Sequence, residues 1–189
     1  MNRNLESYIF KIEGFLTSQE CEDGIKELEN NPEKWEEHQF YNNRTGESYK
    51  RVKEADTKYG DGTLIQRTIM KKLWYALEKY IKHYDFKWHG GWEGYSTPRI
   101  NKYYDDKEMD LHADLIHSVF DGDTKGIPTL SCLGTLNNNF VGGEFIMFDN
   151  MEIKFNPGDL IIFPSTFLYP HKVKPVKEGV RYSYISWTW

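Results

Sequence analysis

The chain has 189 residues, enough for one compact domain with a sizeable core and too few for two domains joined by a linker. Its 24 Lys and Arg stand against 29 Asp and Glu, and a net charge of -5 argues against general nucleic-acid binding because there is no broad basic face to neutralise phosphates. No stretch approaches the apolar length that crosses a bilayer, and the start, MNRNLESYIF, has no apolar run followed by a cleavage site, so the expectation is a soluble cytoplasmic protein without membrane contact.

In chain order, the first predicted element is a helix in FLTSQECEDGIKELEN. Thr17 caps it, Glu20 reaches back from three residues on, and Cys21, Ile25 and Leu28 share a face. Residues 41 to 62 are polar, charged and glycine-punctuated, which reads as a mobile surface segment and a candidate lid over substrate. The next run, TLIQRTIMKKLWYALEKYIKHY, repeats the capping logic with Thr63 and Gln66. Its stripe of Ile65, Ile69, Leu73, Leu77, Tyr80 or Ile81, and Tyr84 predicts a long helix packed against a sheet. The segment KWHGGWEGYSTPR that follows is aromatic and glycine-rich. Trp88, Trp92 and Tyr95 are candidates to stack on a proline ring or a peptide, with core packing the competing role for at least one tryptophan.

From about residue 99 the period becomes two. Short runs at RINKYY, DLHAD, TLSCLGTL, GEFIMF, MEIKF, DLIIF, HKVKPV and RYSYISWTW are separated by turn signals such as NNNFVGG and NPGD. Strands at this spacing after two helices predict an α+β fold: a jelly-roll core, or double-stranded β-helix, over 99–189, with a helical N-terminal part, 1–98, packed on one sheet of the same domain. Cys21 and Cys132 have neither metal-binding nor disulfide-framework spacing and read as reduced, buried thiols.

In an extended strand the side chains of His112 and Asp114, two apart, leave the same face, and His171 opens a later strand that a jelly roll can return to the first. Two imidazoles and one carboxylate on one face of an octahedron leave three positions open, the arrangement of non-haem Fe(II) oxygenases. An isolated His-x-Asp is also common surface chemistry. Ten residues after His171 comes Arg181, with Ser183 on the same strand face; a guanidinium with an adjacent hydroxyl suits the far end of a dicarboxylate, whereas an isolated Arg is usually a surface ion pair.

Taken together, NKYYDDKEMDLHAD, LSCLGTLNNNFVGGEFIMF and FNPGDLIIFPSTFLYPHKVKPVKEGVRYSYISWTW resemble the 2-oxoglutarate/Fe(II)-dependent oxygenase superfamily, in its prolyl 4-hydroxylase-like branch. The resemblance covers about residues 99 to 189. It implies that His112, Asp114 and His171 bind Fe(II), that Arg181 pairs with the distal carboxylate of 2-oxoglutarate, and that Tyr103 and Ser183 assist there. It further implies O2 as co-substrate, ascorbate as an accessory, and hydroxylation of an unactivated C–H with release of succinate and CO2. A peptidyl proline is the leading substrate. A free amino acid, another protein residue or a small metabolite is the alternative, and a non-catalytic jelly-roll binding module is a third reading. The chain departs from the family at Asp106 and Met109, where Gly and Tyr are usual, and in carrying Arg181 where many prolyl hydroxylases have Lys. His117 receives no role, and oligomeric state is not legible.

Overall fold

A computed structural model describes residues 4–31, 35–42, 45–51, 53–58, 62–86, 94–114 and 128–189. In the N-terminal half the regular elements are β1 (Phe10–Ile12), α1 (Ser18–Glu29), β2 (Glu36–Glu37), β3 (Gln39–Asn42), β4 (Glu47–Lys50), β5 (Asp56–Lys58) and α2 (Leu64–Tyr84). In the C-terminal half they are β6 (Arg99–Tyr103), β7 (Met109–His112), β8 (Leu130–Thr135), β9 (Phe140–Gly142), β10 (Phe145–Met147), β11 (Met151–Ile153), β12 (Leu160–Pro164), β13 (His171–Val173), β14 (Val176–Gly179) and β15 (Arg181–Thr188).

Both predicted helices form, each opened by a capping box. Thr17 accepts from the Glu20 N–H while Glu20 accepts from the Thr17 N–H, and Thr63 and Gln66 repeat the exchange. Glu27 on α1 also accepts from the N–H groups of Leu64 and Ile65, so one helix caps the start of the other with a negative charge. The buried face of α2 is Ile65, Gln66, Ile69, Leu73, Ala76, Leu77, Tyr80 and Tyr84, which follows the predicted stripe.

The strands build a seven-stranded sheet in the order β1-β12-β8-β15-β6-β5-β2 and a four-stranded sheet in the order β11-β10-β13-β7. Successive strands cross between them: β6 lies in the large sheet, β7 in the small, β8 in the large, β10 and β11 in the small, β12 in the large, β13 in the small and β15 in the large. This is a jelly roll, and its consequence is that residues far apart in sequence end on neighbouring strands. Period-two alternation gives the large sheet two buried faces. Ile100, Cys132, Ile162, Tyr182 and Tyr184 pack with the helices, while Tyr103, Leu133, Ile161, Phe163, Ile185 and Trp187 turn inward toward Phe145, Met147 and Val173.

Three expectations change. Residues 1–98 are not helical alone: they supply β1, β2 and β5 to the large sheet and a β3–β4 hairpin. The polar segment read as a surface loop therefore holds a sheet strand, β5, where Thr57 and Lys58 are buried and the Lys58 ammonium donates to the Asn31 carbonyl at 2.7 Å. No apolar alternation announced it because its buried side chains are polar, and β4 is exposed throughout. The run HKVKPV splits into β13 and β14, which enter different sheets. Among the described residues, no helix is long and apolar enough to cross a membrane.

Candidate metal centre and co-substrate clamp

Strands β7 and β13 pair antiparallel with His171 directly opposite His112, which sets the two ring centroids 4.4 Å apart. Each ring is fixed in the same way: Nδ1 of His112 lies 2.7 Å from the Asp110 carbonyl, and Nδ1 of His171 lies 3.0 Å from the Tyr169 carbonyl. A carbonyl only accepts, so both rings carry their proton on Nδ1 and present a lone pair at Nε2. Those two Nε2 atoms lie 3.5 and 3.6 Å from Oδ1 of Asp114. One ligand atom from each of the three residues falls within 4.8 Å of the others.

Asp114 does not reach this position by strand alternation, as the sequence had suggested. β7 ends at His112, and Asp114 sits in a bend two residues on, turned inward to 2% exposure. Its Oδ2 accepts from the Ser131 hydroxyl at 2.7 Å, and Ser131 is itself hydrogen-bonded to Ser165. Oδ1 is buried and, among the described residues, has no hydrogen-bond partner. Burial opposes ionisation of the Asp114 carboxyl, and the hydrogen bond from Ser131 favours it. Burial pushes the His171 imidazole down to about 4 against the pull of Asp114, so the ring stays neutral near pH 7. A buried carboxylate oxygen with no donor, faced by two imidazole lone pairs, is an electrostatic arrangement that a cation completes. The donor set fits a divalent metal with open positions.

The residues expected to clamp a co-substrate, Arg181, Ser183 and Tyr103, lie on adjacent strands of the large sheet. Arg181 on β15 is opposite Tyr103 on β6, its guanidinium donates to Ser183 Oγ at 2.9 Å, and its Cζ lies 5.1 Å from the Tyr103 ring centroid. Both Arg181 and Tyr103 are 2% exposed. Among the described residues no carboxylate pairs with Arg181, whose partners are Ser183 and Tyr103, and a buried cation without an anion costs several kcal/mol. Gly143, at φ +66, lets the side chain pass: a Cβ there would meet Arg181 Cδ at 3.0 Å and Val176 Cγ2 at 2.8 Å. A cavity of about 300 Å³ opens beside Arg181, lined by Thr135, Phe140, Phe145 and Phe155 among others.

Tyr95 lies elsewhere than expected. Its hydroxyl donates to the Met70 carbonyl on α2 at 2.7 Å and its ring packs in the helix-side core, across the large sheet from the histidines. Trp88, Trp92 and His117 lie outside the described residues. At the two departures, Asp106 adopts φ 65 where glycine is usual and pairs with Lys177 at 2.6 Å, and Met109 fills the inner core. Sequence reasoning missed Ser131 and Glu54. The signal for Ser131 was a hydroxyl between the apolar Leu130 and Cys132 in the run TLSCL. Glu54 had none; its Oε1 accepts from the Asp110 N–H, while Oε2 is buried without a partner.

Residues 98–189 match the family model of the 2OG-Fe(II) oxygenase superfamily. A PKHD-type hydroxylase of Xylella fastidiosa strain M12 is 34% identical over 107 residues, a match covering 48% of this chain and 43% of that one, so the chain matches less than half of that relative's length. Among solved structures, a Trichoplax adhaerens prolyl hydroxylase in complex with a peptide fragment of a hypoxia-inducible factor oxygen-degradation domain superposes with TM-score 0.68 at 19% identity, covering 96% of this chain and 83% of that one. A Pseudomonas putida prolyl 4-hydroxylase superposes with TM-score 0.65 at 18% identity, covering 95% and 91%. Over residues 98–189 the chain is thus similar in sequence to the 2OG-Fe(II) oxygenase superfamily, and over nearly its whole length it shares the fold of these solved structures.

Proposed function

We propose that the protein is a 2-oxoglutarate- and Fe(II)-dependent hydroxylase, with His112, Asp114 and His171 as metal ligands and a peptidyl proline as substrate. The observation that carries the reading is the pairing of two needs unmet among the described residues: an unpartnered buried oxygen on Asp114 between two imidazole lone pairs, and a buried guanidinium on Arg181 without a carboxylate. A metal at the first and a dicarboxylate reaching the second answer both. Its structural neighbours, prolyl hydroxylases of which one is in complex with a peptide, support proline as the target.

Iron held there would supply activation of O2 coupled to oxidation of 2-oxoglutarate to succinate and CO2, and through it hydroxylation of an unactivated C–H. The side chains do the rest. The Nδ1–carbonyl bonds orient both imidazoles, and Asp114 brings the negative charge that favours a divalent ion. Arg181 and Ser183 offer two kinds of donor to a distal carboxylate, and the buried Tyr103 phenol closes the same wall. Leu133, Phe145, Phe163 and Trp187 line the inner core and exclude water from the reacting groups.

The experiment is succinate release from 2-oxoglutarate with added Fe(II) under air, followed by mass spectrometry of a proline-peptide library. Succinate plus a gain of one oxygen on proline is the expected result. Succinate with oxidation confined to free amino acids or small metabolites overturns the peptide target, and no succinate under any condition overturns the enzyme.

A further inference from the structure

We propose that Ser131, oriented by Ser165, is a positioning residue that restricts Asp114 to a single metal-binding oxygen; this rests on the reading of His112, Asp114 and His171 as a metal site. Ser131 lies within β8, where its backbone is held by pairing with Phe163 on one side and Trp187 on the other, so its hydroxyl has little freedom to withdraw. Both serines are essentially fully buried, Ser131 at 0% and Ser165 at 1% exposure. An ionised carboxylate accepts and never donates, so the single proton of Ser131 goes to Asp114 Oδ2, 2.7 Å away. The proton in the Ser131–Ser165 contact therefore comes from Ser165, and the two hydroxyls form a one-way chain that ends on Oδ2.

The two oxygens of one carboxylate thus have separate fates. Oδ2 is engaged from the large sheet, while Oδ1 faces His112 and His171 with no partner. The distinction has a chemical purpose. A keto acid that chelates through two atoms, together with O2, needs three corners of an octahedron, which two imidazoles and one carboxylate oxygen leave open. A carboxylate binding through both oxygens would leave two. A fully buried hydroxyl is costly when unsatisfied, and the Ser131 hydroxyl is satisfied by Oδ2 and by Ser165.

The test uses Mn(II), whose bound waters exchange rapidly and relax solvent protons in proportion to their number. Relaxivity per bound Mn(II) is measured at saturation for the wild type, Ser131→Ala and Ser131→Cys; the thiol keeps the bulk but donates weakly. The expected result is a fall of about one third in both variants, as the freed Oδ2 displaces one of three waters. Unfolding midpoints of the metal-free proteins identify any variant that has lost its fold, and Ser131→Cys decides if Ser131→Ala has. Wild-type relaxivity in a folded, saturated variant overturns the positioning role while leaving the metal site standing. A wild-type protein that takes up no Mn(II) overturns the metal site itself.

Discussion

Arg181 stands opposite Tyr103 in the β15–β6 ladder, with its guanidinium carbon 5.1 Å from the centre of the phenol ring. The ring face attracts the cation but does not neutralise it. Replacing Arg181 with Leu is therefore expected to have opposite effects on two measurements. Calorimetric binding of 2-oxoglutarate to the Mn(II) form falls by about 2 kcal/mol or more, roughly 30-fold. Chemical denaturation without co-substrate shows equal or greater stability, because a desolvated charge has been removed. Loss of stability together with unchanged binding contradicts the clamp. Arg181→Lys, which keeps the charge and loses the planar fork, falls between the two in binding.

A divalent ion held at the proposed histidine–aspartate site would bind the folded chain and not the unfolded one. Thermal unfolding is expected to move up with Mn(II), by about 2.7 kcal/mol at a hundred times the dissociation constant. His171→Ala and Asp114→Ala remove that gain and abolish turnover while retaining the far-ultraviolet circular dichroism of the wild type. A stabilisation by Mn(II) that persists in both variants places the ion elsewhere.

Burial holds the Glu54 carboxyl up at about 7, against an ordinary value of 4.5. The unfolded chain releases this proton first as pH rises, so between 4.5 and 7 the folded state binds more protons and stability declines through that window. Glu54→Gln removes the proton and with it the decline. At pH 8 the metal-free variant is expected to be more stable than the wild type by about 1–3 kcal/mol, and at pH 4 the two converge. Urea midpoints across this range check the sign, and a parallel offset at every pH rules out the ionisation as the cause.

Glu27 joins the two helices by accepting from Leu64 and Ile65 at the start of α2. Glu27→Ala leaves those N–H groups without their anionic cap and is expected to cost about 1 kcal/mol in urea denaturation, with an unchanged slope. The loss shrinks when salt screens the wild-type interaction. Equal stability of variant and wild type shows that water serves these groups as well as the carboxylate does.

Where burial is one-sided and apolar, the local pattern is readable. The α2 stripe, the two capping boxes and the period-two runs of the C-terminal half each state their own conformation, because a helix face or strand face must be apolar to be buried. β5 escapes this rule because polar Thr57 and charged Lys58 are buried in it, and β1 because three residues carry too short a pattern. Tyr95 was misplaced for a related reason: an aromatic side chain before a sheet can turn to either face, and the Met70 carbonyl on α2 decides which.

By itself the sequence determined the helices, most of the jelly-roll strands, and the residue types needed for an open metal site, since these depend on local spacing and on which atoms donate electron pairs. Tertiary structure alone decided that His112 and His171 face each other, that Asp114 turns inward beyond the end of its strand, and that Ser131 claims one of its oxygens. Those relations come from crossings between sheets and from a bend, where neighbours are chosen by packing across the barrel and not by position along the chain.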